Sequence, residues 1–131
     1  MKYLFDSSAI FRAIKENKVE VLAGNCTLEL ARYELGNIVW KDFVLQQRVL
    51  EEESKKMART IKHTIGIMDV LGIAGFEEEI LETATRLKIT FYDASYVYCA
   101  KTKGLRLITE DSRLAKKVTP TINVSALDYV R

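Results

Sequence analysis

The sequence predicts an α/β fold with a central, mainly parallel sheet of four or five strands flanked by helices. Short apolar runs alternate with stretches of helical periodicity along the whole chain, the pattern that builds parallel sheets through helical crossovers. The turn signals fall between these segments rather than inside them, and the only proline, Pro120, sits in a loop between the last two. At 131 residues the chain has the size of one domain, residues 1–131, able to bury roughly two thirds of its unfolded surface.

The opening Tyr3-Leu4-Phe5 reads as a strand that stops at Asp6-Ser7-Ser8, residue types that start helices. Ala9, Ile10, Ala13 and Ile14 then repeat at helical spacing. Val19–Leu22, bounded by Asn17 and Gly24, reads as a second strand. From Thr27 to Lys41, Leu28, Ala31, Leu35, Ile38 and Val39 follow a helical stripe with Thr27 as its cap and Glu34 at the border. Residues 43–61 read as one long charged helix, a projecting arm in which Glu51 and Glu52 precede Lys55 and Lys56 by four positions.

Residues 65–73 suggest a short strand or turn. Phe76–Leu87 is helical by period, with Glu77, Glu78 and Glu79 suited to the positive end of its dipole. Asp93 opens the next helix, which Gly104 closes. Leu105–Ile108 and Ile122–Val124 are the last strands, separated by a short helix over Ser112–Lys117.

Composition narrows the function classes. Hydrophobic residues at 48% and charged residues at 29% exclude a disordered chain. A net charge of +2, from 20 basic and 18 acidic residues, permits a nucleic-acid partner without implying one. Cys26 and Cys99 lie in apolar contexts without CxxC spacing and read as buried reduced thiols. Met1–Ser8 holds no signal-peptide core and no window approaches a membrane span, so the expectation is a cytoplasmic protein without membrane contact.

Four carboxylates carry the chemistry: Asp6, Glu34, Asp93 and Asp111. Each has a plainer explanation. Asp93 and Asp111 stand where helix caps are expected, Asp6 could be turn chemistry, and Glu34 could be a solvated helix residue. Jointly they point elsewhere, because the carboxyl ends of parallel strands and the helix starts beside them form the ligand crevice of an open sheet. Carboxylates gathered there repel one another unless a cation neutralises them, and Mg²⁺ or Mn²⁺ suits an all-oxygen site. The chain's one histidine, His63, lies far in sequence from every acid and reads as a surface residue.

The segments Leu4–Ser8, Glu34–Asn37, Tyr92–Ala100 and Leu107–Leu114 resemble, in order and spacing, those of PIN-domain ribonucleases, and the chain is similar in size to the VapC-type toxins of toxin-antitoxin pairs. The resemblance implies a three-layer PIN-like fold in which Asp6, Glu34, Asp93 and Asp111 hold one or two divalent cations. It also implies supporting roles for Ser7 and Thr109, which flank the first and last acids, and for Asn37, a polar neighbour of Glu34. Ser8 and Ser112 read as helix caps.

The function so implied is Mg²⁺- or Mn²⁺-dependent endoribonuclease activity, with RNA as substrate, a cognate antitoxin as partner and a homodimeric assembly. The apolar residues Phe43, Val44, Leu45, Val49 and Leu50 could serve that dimer or the core. Arg12, Lys15, Lys41, Lys101 and Arg113 could contact phosphate, and Tyr92, Tyr96 and Tyr98 could stack on bases. Two other readings stay open: a PIN-type nuclease in RNA processing or on DNA flaps, and a non-catalytic interaction domain whose acids merely cap helices.

Overall fold

A computed structural model describes residues 2–131. Five short strands, β1 (Tyr3–Phe5), β2 (Cys26–Leu28), β3 (Asp69–Leu71), β4 (Arg106–Ile108) and β5 (Val124–Ser125), form one sheet in the order β3-β2-β1-β4-β5. Every neighbouring pair is parallel. The chain steps outward from β1 through β2 to β3, then returns to the other side of β1 to place β4 and β5. The order therefore reverses between β1 and β4, and that reversal opens the crevice of a parallel sheet. Phe5 pairs with Ile108, so Asp6 and Thr109 leave the two central strands side by side.

The inner strands β1, β2 and β4 are largely buried on both faces, as a parallel sheet covered by helices requires, while the edge strands β3 and β5 are partly exposed. Phe5 and Ile108 face a core built with α1 (Ser7–Lys15), α2 (Leu30–Trp40) and α3 (Glu51–Gly66), through Ala9, Ile10, Ala13, Leu35, Ile61 and Ile65. Leu4 and Leu107 face the other layer, packing against Tyr96, Val97 and Ala100 of α5 (Phe91–Lys103) and Leu114 of α6 (Ser112–Val118). Helix α4 (Glu77–Leu87) packs on α5 through Ile80, Ala84 and Ala94. This is the expected three-layer α/β architecture, with a five-stranded parallel sheet.

Several boundaries differ from expectation. Val19–Leu22 is a 3-10 turn, not a strand. Asn17 takes a left-handed φ of 56° after α1, and the turn drives Leu22 directly into the core. The strand comes later, at Cys26–Leu28, after Gly24 turns the corner at φ 74°. Thr27 belongs to that strand and caps nothing, since its hydroxyl donates to the Phe5 carbonyl at 2.8 Å. Helix α2 accordingly starts at Leu30.

Residues 43–61 are not one helix. Lys41–Leu45 widens into a π-turn, Gln47 takes φ 49°, and α3 begins afresh at Glu51. The acids Glu51, Glu52 and Glu53 mark this start, because negative charge is favourable in a first helical turn. Glu53 also reaches back to accept from the Leu50 N–H at 3.0 Å. The expected Glu51–Lys55 pair forms at 3.5 Å. Beyond it α3 is no projecting arm, since Ile61, Thr64 and Ile65 are buried.

Helix α5 begins at Phe91 with Thr90 as its cap, two residues ahead of Asp93. Gly104, at φ 66°, closes it as expected. The last strand is shifted to Val124–Ser125. Cys26 and Cys99 are buried thiols whose pKa burial pushes up.

Candidate metal centre at the carboxyl edge of the sheet

Asp6 follows β1 and caps α1 in extended backbone geometry. Its Oδ1 accepts from the Ala9 N–H at 3.0 Å and from the Ser8 hydroxyl at 2.6 Å, and its Oδ2 accepts from the Thr109 hydroxyl. Hydrogen bonds to a carboxylate favour its charged form. Burial outweighs them here, and with the Glu34 charge nearby the Asp6 pKa is pushed up to about 6.

The frame around Asp6 joins both central strands. Thr109 Oγ1 accepts from the Asp111 N–H at 3.1 Å and lies 3.3 Å from Ser8 Oγ. Ser8 Oγ in turn accepts from the Glu110 N–H at 2.9 Å. Thr109, expected as the flank of the last acid, is bonded instead to the first, Asp6. The second hydroxyl on Asp6 belongs to Ser8, whereas Ser7 supplies none of the three hydrogen bonds. Ser8 is thus no helix cap but a partner of the cap, Asp6, and Ser112 likewise follows its cap, Asp111.

Glu34 lies half-buried on α2, and its Oε1 accepts from the Tyr96 hydroxyl at 2.8 Å. Tyr96 is 1% exposed. Burial, then Glu34, then Asp6 and Asp93 all raise its pKa, so the phenol stays neutral and remains a donor. One acid, Glu34, is thus bonded to this buried hydroxyl, and the charges of Asp6 and Asp93 also act on it. Sequence reasoning missed this role, although a signal exists: Tyr96 follows Asp93 by three positions and shares its helix face. Asn37, one turn beyond Glu34, is exposed.

Asp93 sits in the first turn of α5, and its N–H donates to Thr90 Oγ1 at 3.0 Å. Because Thr90 caps the helix, the Asp93 carboxylate is released from that task. Its pKa is raised, mainly by burial and next by Asp111, against the opposing effects of Thr90 and Lys117. Asp111 is exposed and does cap its helix, with Oδ1 accepting from the Arg113 and Leu114 N–H groups at 3.0 and 3.1 Å.

The charge of Glu34 thus acts on Asp6 and that of Asp111 on Asp93. Among the described residues no three His, Cys, Asp or Glu side chains converge tightly enough to hold a metal by themselves. None of the four acids makes an ion pair among the described residues either. All-oxygen donors with unneutralised charge fit a hard divalent cation, and Mg²⁺ commonly takes only one or two carboxylates while keeping water.

The candidate phosphate contacts divide. Arg12 is committed to Glu16, Glu110 and Asp128, at 2.6, 2.6 and 2.9 Å. Lys15 lies 5.5 Å from the Phe11 ring centroid. Lys101 lines a cleft with Leu105 and Pro120, beside the start of β4 and away from the acids. Lys41 and Arg113 are exposed. Lys117, unremarked in the sequence, is the cation whose field reaches Asp93. Of the tyrosines, Tyr96 is core, Tyr98 packs on Phe76 at 5.5 Å, and Tyr92 is 60% exposed beside Asp93. His63 is exposed, as expected.

No family model matches the chain. Two curated proteins of Pyrobaculum aerophilum do. Exonuclease VapC9 is 32% identical over 129 residues, covering 97% of this chain and 93% of that protein. Ribonuclease VapC3 is 33% identical over 98 residues, covering 72% and 74%. A crystal structure from the same organism superposes with a TM-score of 0.81 at 29% identity, covering 98% of this chain and 92% of the other. DNA-bound VapBC from Salmonella typhimurium gives 0.69, covering 97% and 98%. VapBC2 from Rickettsia felis, bound to a promoter DNA fragment, gives 0.71, covering 96% and 98%. Both are 16% identical to this chain and show the fold alone.

Proposed function

The chain belongs to the VapC family of PIN-domain ribonucleases, the toxin members of toxin-antitoxin pairs, and from that membership we propose that it is a divalent-cation-dependent endoribonuclease. The observation that carries the chemistry is Asp6: a buried carboxyl between β1 and β4, framed by hydroxyls, facing Glu34 and lacking any ion pair. A bound Mg²⁺ or Mn²⁺ would supply an activated water and neutralise charge developing on the phosphate.

The chain's own residues do the positioning. Ser8, Thr109 and the Ala9 N–H fix the orientation of Asp6. Tyr96 holds Glu34 toward the same crevice. Asp93 and Asp111 provide the second pair of oxygen donors, and Tyr92 offers an exposed ring beside them for a base. Lys117 is placed to offset negative charge near Asp93.

An antitoxin is the proposed partner, and an arginine presented to these unpaired acids would neutralise the charge that a cation otherwise neutralises. Homodimerisation through the exposed Val44, Leu45 and Leu50 is the proposed assembly. No helix among the described residues is long and apolar enough to cross a membrane, and the cytoplasm is the proposed site of action.

The test uses protein freed of any partner, with linear and circular RNA, Mg²⁺ or Mn²⁺, and a flapped DNA control. Circular RNA distinguishes an endonuclease from the exonuclease named among the relatives. Asp6→Asn and Asp93→Asn are expected to lower cleavage by more than about 100-fold while the fold is retained. Wild-type protein that cuts no RNA with either cation, or variants that cut at the wild-type rate, would overturn the proposal.

A further inference from the structure

The loop between β4 and α6 is Thr109-Glu110-Asp111. Its outer residues face the carboxylate site, through the Thr109 hydroxyl on Asp6 and the Asp111 carboxylate beside Asp93. The middle residue, Glu110, is engaged away from it. Glu110 Oε1 accepts from Arg12 Nη1 at 2.6 Å, and Oε2 accepts from the Leu127 N–H at 2.8 Å. Both carboxylate oxygens are thereby occupied. Glu110 is an acid inside the site loop that is no ligand.

What Glu110 grips is itself fixed. Leu127 opens a 3-10 turn, Leu127–Tyr129, whose first N–H groups have no partner within the turn. A carboxylate at that position satisfies a donor with a charge-assisted bond. Leu127 is 2% exposed and packs in the α1–α3 core. The Tyr129 ring lies 4.4 Å from the Arg106 guanidinium and 6.3 Å from the Tyr3 ring. Arg12, the other grip, is held on α1 by Glu16 and reaches Asp128 in the same turn.

We infer that Glu110 is a positioning residue for the metal centre, clamping the Thr109–Asp111 loop between α1 and the Leu127–Tyr129 turn so that Thr109 and Asp111 present their oxygens to the site. The inference rests on the metal-centre reading above, and it assigns a purpose to the Arg12 network that phosphate binding does not. The clamp completes the contacts that hold the loop from the other side: the Thr109 hydroxyl serves Asp6 and the Asp111 N–H, the Thr109 N–H donates to the Ser125 carbonyl at 3.0 Å, and the Glu110 N–H donates to Ser8. Supporting side chains of this kind, when removed, weaken metal affinity or activity by about 10-fold to 100-fold.

The experiment compares Glu110→Ala, Glu110→Gln, Arg12→Ala and the Glu110→Ala/Arg12→Ala double variant. Three readouts apply: amide hydrogen exchange over residues 109–111, Mn²⁺ affinity by calorimetry, and kcat against KM on RNA. Glu110→Ala is expected to speed exchange in the loop, weaken Mn²⁺ binding by about 10-fold or more, and lower kcat with KM held. Glu110→Gln keeps one acceptor oxygen and falls between, and it decides the matter if the alanine variant does not fold. The double variant is expected to fall short of the sum of the two single effects, since the two side chains share one contact.

Wild-type exchange together with wild-type Mn²⁺ affinity in folded Glu110 variants would overturn the inference. So would effects of the two single substitutions that simply add. If the wild type itself binds no Mn²⁺, the metal-centre reading falls. Loop exchange then still decides whether Glu110 orders Thr109 and Asp111.

Discussion

Asp6 sets burial against charge within one side chain. Three donors hold its carboxylate, yet its pKa stands near 6 against an ordinary 3.8, because the desolvation cost is larger. Between those two values the folded chain binds more protons than the unfolded one, so metal-free stability falls as pH rises through the window. Asp93 shifts in the same direction. Urea denaturation of metal-free protein at about pH 5 and about pH 7 should therefore show lower stability at the higher pH, and Asp6→Asn should flatten the difference. Mn²⁺ affinity should run the opposite way and rise over the same interval, because the cation must displace a proton. Equal stability differences in wild type and Asp6→Asn would mean that the buried carboxyl is not the source.

Helix ends decide which acids are available to the site. Thr90 caps α5 and leaves Asp93 in the first turn with its carboxylate free of capping. Asp111 has two tasks, since the same side chain caps α6 and faces Asp93. Asn caps a helix about as well as Asp, whereas replacing a cap by Ala costs about 1 kcal/mol. Asp111→Asn should thus keep wild-type stability and lose metal affinity, while Asp111→Ala should lose both. Thermal melts paired with Mn²⁺ calorimetry separate the two tasks, and equal destabilisation by both substitutions would refute the division. The α2–α3 junction shows a comparable economy: the π-turn at Lys41–Leu45 and the left-handed Gln47 redirect the chain, and Leu45 and Leu50 emerge with 61% and 70% of their surface exposed.

For the molecule as a whole, sheet order is what turns separate acids into a site. Placing β4 against β1 brings Asp6 and Thr109 together from positions 103 residues apart. Val44, Leu45 and Leu50 at the α2–α3 junction are exposed, and exposed apolar patches mark association surfaces. Light scattering on wild-type protein should give twice the chain mass, and Leu45→Glu with Leu50→Glu should give the monomer. A monomeric wild type, or a double variant that remains dimeric, would place the interface elsewhere or remove it. The Arg12–Glu110–Leu127 contacts cross the molecule at the same scale, tying α1, the site loop and the final turn into one support.

The sequence by itself determined the α/β class with its mainly parallel sheet, and it marked four acids as candidates. Helical and strand periodicities are local, and an acid that ends an apolar run is visible without its neighbours. Sequence and structure part where one segment suits two structures. Val19–Leu22 and Thr27–Leu28 are short apolar pieces whose state depends on whether a neighbouring strand offers a ladder, and the ladder went to Cys26–Leu28. The helix expected over residues 43–61 broke because three consecutive acids favour a helix start over a helix middle. Only the tertiary structure decided that Ser8 rather than Ser7 reaches Asp6, that Tyr96 holds Glu34, and that Glu110 turns away from the site to Arg12 and Leu127. Those contacts join residues up to 98 positions apart in the chain. Hydrogen bonds and charge fields depend on distance in space, and sequence spacing does not report that distance once the chain crosses from one strand to another.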